Sequence, residues 1–212
     1  MHQQTNFNNY ASEYDRWFDE NHFAYQSEIE AIRRFIPDKG LGVEIGAGTG
    51  RFSTPFSITV GVEPSDAMAE IASSRGITVH RTFAEDLPFD SEHFDYALMV
   101  NTICFVEDTL KAIQEIFRIL IPGGKFILAI IDKNSKLGLM YESKKASSMF
   151  YKDAVFYSPT RVLEMLCKTG FSGSQIAQTI FTNPRQMTEP DPVKEGYGEG
   201  AFVVIGSVKG KE

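Results

Sequence analysis

The apolar run Leu41-Gly42-Val43-Glu44-Ile45 leads straight into Gly46-Ala47-Gly48-Thr49-Gly50, three glycines in five residues. Few folds accommodate such a junction. Glycine reaches positive φ without steric cost and has no Cβ, so the backbone of this turn can come close to a ligand. A strand that ends in such a turn and then hands over to alternating helices and strands is the opening of an α/β sheet that binds at the carboxyl ends of its strands.

The chain after the turn keeps that alternation. Ile58 to Val62 reads as a second strand ending at Glu63. Ser65 can cap a helix through Arg75, with Met68, Ile71 and Ala72 on its inner face and Gly76 closing it. Ile77 to Phe83 is a third strand and Phe94 to Val100 a fourth. Asp108 can cap a helix with Leu110, Ile113, Phe117 and Leu120 as its apolar face, ended by Ile121-Pro122-Gly123-Gly124. Phe126 to Ile131 is apolar throughout, as a strand covered on both faces should be. Residues 132–157 break the rhythm with mixed Met, aromatic and Lys content. Ser158-Pro159 starts a helix that Gly170 ends, and strands near Ser174 to Phe181 and Ala201 to Val208 follow, joined by a Pro/Gly-rich connection. Before the turn, Tyr10, Tyr14, Trp17 and Phe18, then Tyr25, Ile29, Ile32 and Ile36, fall at helical spacing, and Pro37 and Gly40 stop the second helix. The pattern predicts a single domain over 1–212. It comprises an N-terminal helical lid (1–37), a cofactor-binding half (38–131), an acceptor-side insertion (132–157), and a C-terminal helix with a strand pair (158–212).

Composition narrows the classes. With 28 acidic against 21 basic residues the net charge is −7, which argues against nucleic acid as a partner. No apolar run approaches the roughly 20 residues of a membrane helix, and residues 1–20 do not read as a signal peptide. Cys104 and Cys167 form no metal or redox spacing. The expectation is a cytoplasmic protein with no membrane or metal attachment, monomer or dimer left open.

Which ligand the glycines serve depends on their neighbours. The dinucleotide fingerprint G-x-G-x-x-G/A needs a small third residue, and Arg51 stands there, with Gly50 one place early. Glu44, inside the strand end, would repel a pyrophosphate and favour a cation. Both features point to S-adenosylmethionine, which carries a sulfonium and an ammonium but no phosphate. Glu63 at the next strand end can accept from both ribose hydroxyls, a feature that either cofactor would use.

The segments "VEIGAGTGRFS", "VGVEPSDAMAEIA", "AEDLPFDSEHFDYALMVNTICFVED" and "LKAIQEIFRILIPGGKFIL" resemble the class I S-adenosylmethionine-dependent methyltransferases, nearest to the small-molecule group of the ubiquinone/menaquinone-biosynthesis type. The resemblance implies a Rossmann-like doubly wound sheet of seven strands with the last antiparallel, and S-adenosyl-L-methionine as cofactor. It implies that Gly46, Ala47, Gly48 and Gly50 wrap the methionine part with Glu44 near its ammonium, and that Glu63 holds the ribose. Pro64 and Met68 would flank adenine, and Glu85, Asp86 and Leu87 would meet its polar edge. Asn101 and Thr102 would lie by the methionine tail. Tyr14 matches the aromatic that closes over the cofactor, although helical spacing alone would place Tyr14 and Trp17 in the core. The chain departs from the family in two places. Only 12 residues, Arg51 to Val62, separate Gly50 from Glu63, room for barely more than one helical turn. Asn101-Thr102-Ile103-Cys104 replaces the N/D-P-P-Y/F motif of amino-directed DNA methylases.

The implied reaction is in-line methyl transfer to a small-molecule acceptor, which calls for alignment and water exclusion rather than a catalytic triad. His22 and Asp132 are the candidate general bases, while His2, His80 and His93 look peripheral. Trp17, Met140, Tyr141, Tyr151 and Tyr157 mark the acceptor side, under a lid formed by residues 132–157 and the N-terminal helices. The competing readings are a nicotinamide-dependent oxidoreductase, a non-catalytic S-adenosylmethionine-binding protein and, more distantly, an aminopropyl transferase.

Overall fold

The computed structural model describes residues 7–210; His2 lies outside them. Two helices come first, α1 (Ala11–Glu20) and α2 (His22–Arg33). Strand β1 (Gly42–Ile45) leads through the glycine turn to β2 (Val60–Val62), α3 (Asp66–Ser74) and β3 (Thr78–His80). Then come β4 (Phe94–Val100), α4 (Thr109–Ile119), β5 (Leu120–Ile131), α5 (Lys136–Lys144), α6 (Pro159–Thr169), β6 (Phe171–Thr179), β7 (Lys194–Glu195) and β8 (Phe202–Lys209).

The strands form one sheet in the order β3-β2-β1-β4-β5-β8-β6-β7. β1 to β5 are parallel, with Val43 opposite Val60 and Ala97 opposite Phe126. β8 runs antiparallel to both β5 and β6. Alternate side chains of the central strands feed two cores. Val43, Ile45, Ala97, Met99, Phe126 and Leu128 pack with Ile113, Ile116 and Ile119 of α4 and Val162, Met165 and Leu166 of α6. Leu98, Val100, Ile127, Ala129, Phe202 and Val204 pack with Ile29, Ile32 and Phe35 on the other face. Both faces of each central strand are therefore covered, as an apolar parallel strand requires. The caps work as their residue types dictate. Ser65, Asp108 and Ser158 each accept a backbone N–H in the first turn of α3, α4 and α6, and Gly170 ends α6 at φ +101°.

The structure corrects four details. The sheet has eight strands rather than seven, because Lys194–Glu195 inside the Pro/Gly-rich connection pairs with Ala177 and Gln178. Two exposed polar residues carry no alternation signal. The third strand is only Thr78–His80, and Phe83 is exposed. Residues 121–124 do not merely stop α4. The helix ends at Ile119, and β5 starts at Leu120 with an irregular register against Phe94 and Tyr96. Finally, Leu110 is exposed, since the buried stripe of α4 is Ala112, Ile113, Ile116 and Ile119. Among the described residues no helix is long and apolar enough to cross a membrane.

Candidate functional site

The sheet order reverses between β1 and β4, so their carboxyl ends diverge and leave a crevice. The glycine turn and Asn101-Thr102 stand on its two sides. Gly46, Gly48 and Gly50 all have positive φ (75°, 54° and 82°). The backbone N–H groups of this turn are largely spent within the protein. Gly46 and Ala47 donate to the Val62 carbonyl (2.8 and 2.9 Å), Gly50 donates to Ala47, and Gly48 donates to Glu63 Oε2 at 2.9 Å. Glu63 Oε1 accepts from Ser65 N at 2.8 Å. The Glu63 carboxyl is thus pinned at the lip of the turn, with lone pairs left on both oxygens. Burial pushes its pKa up to about 7, against the pull of the Ser65 and Gly48 N–H groups. Glu44 lies beneath the turn, fully buried and bonded to the Ser53 hydroxyl. Burial pushes it up to about 8, opposed by the Ser53 bond and reinforced by Glu63. A turn whose donors are consumed, with two carboxyls around it, suits a cationic or hydroxyl-bearing ligand and not a phosphate.

Helix α1 is lashed over this turn chiefly through Asp15, with Asp19 in support. Asp15 takes a two-pronged bond from Arg51 (Nε 2.8 Å, Nη2 2.7 Å) and another from Arg75 (2.8 Å to each oxygen), and also the Thr49 hydroxyl at 2.7 Å. Burial alone would raise the Asp15 pKa, but Arg75 and Arg51 hold it far below the usual carboxylate range. Arg51 reaches on to Asp19 of the same helix at 2.8 Å. The neighbouring residue, Tyr14, is placed by this clamp over the turn. A Cβ built on Gly48 would lie 3.7 Å from its ring. Burial, then Glu44 and Glu28, push the Tyr14 hydroxyl well above its ordinary pKa, so it stays protonated.

Between turn, lid and sheet lies a cavity of about 860 Å³. Pockets for single small ligands run to roughly 300–1,000 Å³, so this one is at the large end. Of the residues singled out in the sequence, Tyr14, Gly46, Gly48, Glu63, Pro64, Met68, Asn101 and Thr102 line it, and so do Trp17, Met140, Tyr141 and Tyr151. The others do not. Glu44 lies under the turn, the buried Ala47 side chain packs toward Gly61, and Gly50 faces Ile77 and Ala72. Glu85 accepts from the Glu107 and Asp108 N–H groups ahead of α4. Asp86 is exposed, and the Leu87 N–H is committed to Glu115 at 3.1 Å. Tyr157 turns away to bond Thr109 at 2.9 Å. His22 is exposed against Phe23, and Asp132 is buried in a local turn, accepting from Asn134 N. Neither candidate base reaches the cavity.

Three cavity features were not expected. Asn101, at φ +51°, has a buried Oδ1 with no hydrogen-bond partner. Glu28 of α2 lines the cavity at 7% exposure, with Oε2 likewise unpartnered, and burial pushes its pKa up to about 8. Its spacing from Tyr25 and Ile32 (three before, four after) put it on the apolar stripe, a signal that could have singled it out. Phe83, exposed beyond β3, also lines the cavity. Among the described residues no group of three or more His, Cys, Asp or Glu could hold a metal ion.

Residues 43–128 match a family model described as a methyltransferase domain. The chain is similar to a crystal structure from Thermotoga maritima, described as an S-adenosylmethionine-dependent methyltransferase and possible histamine N-methyltransferase. The identity is 50%, the coverage 97% of this chain and 99% of that one, and the TM-score 0.94. It is 52% identical to an uncharacterized protein of Methanocaldococcus jannaschii over 96% of this chain and 98% of that one. It is 27% identical to a ubiquinone/menaquinone biosynthesis C-methyltransferase of Vibrio campbellii, over 72% of this chain and 62% of that one.

Proposed function

This chain belongs to the class I S-adenosylmethionine-dependent methyltransferases, and from that membership we propose that it methylates a small-molecule acceptor held in the cavity beside Glu63. One observation carries the placement: the turn spends the N–H groups of Gly46, Ala47, Gly48 and Gly50 internally and sets the buried Glu63 carboxyl at its lip. S-adenosylmethionine supplies an activated methyl group on a positively charged sulfur.

The residues present fit that cofactor. Glu63 has a free lone pair on each oxygen for the two ribose hydroxyls. Gly48 leaves space where a side chain would project, and Gly46 and Thr102 border the same end of the cavity. The orphaned Asn101 Oδ1 accepts from the ammonium, and Glu44 beneath adds negative potential. Pro64 and Met68, the residues expected to flank adenine, offer it apolar surface together with Phe83, while Glu85, Asp86 and Leu87, expected at its polar edge, do not line the cavity. Tyr14 roofs the turn, and α1 with residues 132–157 excludes water and orients the acceptor.

A small acceptor is favoured by the cavity's enclosure under aromatic side chains. It is also favoured by the Thermotoga relative, described as acting possibly on histamine. A nicotinamide cofactor is disfavoured, since its pyrophosphate would meet two carboxyls and few free N–H donors. Calorimetric titration with S-adenosylhomocysteine, with NADH as control, tests the reading. Binding of the first alone is expected, and binding of NADH alone would overturn it. Turnover with the methyl donor then separates an enzyme from a non-catalytic binder.

A further inference from the structure

We propose that the acceptor is an amine and that Glu28 receives it, pairing with its ammonium and taking up the proton that must leave before methylation. This rests on the methyltransferase reading above and adds the acceptor's chemical class and the residue that holds it.

Glu28 lines the same cavity as Gly48, Glu63 and Asn101. It is more than nine-tenths buried, and its Oε2 has no hydrogen-bond partner. Native structures rarely leave a buried polar oxygen orphaned, and a lone buried carboxyl is costly. Lys144 and Arg185 also line the cavity, yet Oε2 bonds neither. The side chain is placed for something absent from the chain itself.

The surroundings say what kind of group that is. Tyr14, Tyr141 and Tyr151 all feel the Glu28 charge, which helps to push their hydroxyls up, with burial the larger cause. Tyr141 and Tyr151 stack at 5.0 Å, and Phe150 lies edge-on to Tyr14 at 5.8 Å. An acid backed by aromatic rings, with no basic partner, attracts an ammonium through charge and ring quadrupole together. A carboxylic acid would be repelled there, and an alcohol would gain one ordinary hydrogen bond.

The same contact does chemical work. An ammonium has no lone pair to offer. Glu28, whose burial raises its proton affinity, takes one proton and frees the pair. That pair forms the N–C bond as the C–S bond breaks, and the C–S electrons stay on sulfur as a neutral thioether. The product nitrogen carries the positive charge, and Glu28 keeps the proton until the next ammonium enters and displaces it to solvent. Two cations enter; one cation and one proton leave.

The test uses the full chain saturated with S-adenosylhomocysteine. Three probes of one shape are titrated near neutral pH in two buffers of different ionisation enthalpy: 2-phenylethylamine, 2-phenylethanol and phenylacetate. Benzylamine, cyclohexylamine and 1,4-diaminobutane widen the amine set. We expect an amine to bind about tenfold or more tighter than the alcohol and the acid, with proton release on binding as the empty site's protonated Glu28 ionises against the ammonium. In Glu28→Gln that affinity falls about tenfold or more and the proton release disappears, while S-adenosylhomocysteine binding is unchanged. No binding by any amine, preference for the alcohol or acid, or an unaltered affinity in Glu28→Gln would overturn the proposal. Failure of S-adenosylhomocysteine to bind the wild type would instead overturn the cofactor placement. The wild-type comparison of the three probes stands even if the variant folds poorly.

Discussion

A Cβ added at Gly48 would meet Met68 Sδ and Tyr14 at 3.7 Å, an ordinary contact, whereas at Gly46 it would lie 2.3 Å from Thr102 and at Gly50 2.4 Å from Ile77. Gly46 and Gly50 are therefore held by the protein's own packing, and Gly48 by its left-handed backbone and the space it leaves open. Gly48→Ala is expected to stay folded, losing about 1–2 kcal/mol to backbone strain, while S-adenosylhomocysteine binding drops sharply in calorimetry. Gly46→Ala should be strongly destabilised, visible as a large fall in Tm. Normal cofactor binding in Gly48→Ala would remove the turn from the site. Glu63→Ala should weaken S-adenosylhomocysteine binding by about 1–3 kcal/mol, the scale of lost charged hydrogen bonds. Unaltered affinity there would take Glu63 out of the site. Glu63 could be singled out in the sequence because it follows a strand of the α/β alternation. The sequence places Glu28 on the apolar stripe of its helix, but only the cavity shows that its carboxyl opens there without a partner.

At the scale of elements, α1 is joined to the turn through charge rather than by helix packing alone. Asp15 gathers Arg51, Arg75 and Thr49 at 2.7–2.8 Å, and so couples α1, the turn and the end of α3. Asp15→Ala would leave two guanidinium groups without their shared partner. The expected loss is about 2–3 kcal/mol, under the range for a fully buried pair because the carboxylate keeps 18% exposure. Faster hydrogen exchange in residues 11–20 and weaker S-adenosylhomocysteine binding should accompany it; wild-type exchange there would refute the clamp. Arg51 reads in the sequence as an obstacle to a dinucleotide, and the structure adds what it does instead. The short segment after Gly50 holds a single 3-10 turn, Thr54–Phe56, as the count of residues before Glu63 required. On the acceptor side, α5 brings Met140 and Tyr141 into the cavity while Tyr157 turns to Thr109. Replacing residues 132–157 with those of a relative should change the preferred acceptor without changing cofactor affinity, measured by competition among acceptors.

Across the whole molecule, buried carboxyls set the response to pH, Glu28, Glu44 and Glu63 foremost and Asp132 in the same direction. Burial raises Glu28 and Glu44 to about 8 and Glu63 to about 7, all well above the ordinary carboxylate range. The folded protein then holds more protons than the unfolded chain between those values, so stability falls as pH rises through that window. Asp15 works in the opposite sense: its folded pKa is depressed, so its contribution is present above the ordinary value and lost in strong acid. The ligand-free protein should thus be most stable in mildly acidic buffer, with Tm falling from about pH 6 to about pH 8.5; a flat or rising Tm by scanning calorimetry would refute this. The sequence by itself determined the layered α/β order, the caps at Ser65, Asp108 and Ser158, and the glycine turn, because periodicity, capping and positive φ are local properties of neighbouring residues. It also singled out Glu63 and Tyr14 for the site. Only the tertiary structure decided that Gly48 borders the cavity while Gly50 packs on Ile77, that His22 and Asp132 stand away from it, and that Glu28 is left unpaired within it. Those outcomes depend on which distant segments meet, and a carboxyl's partners are fixed by the helices and strands that close around it, not by its neighbours in the chain.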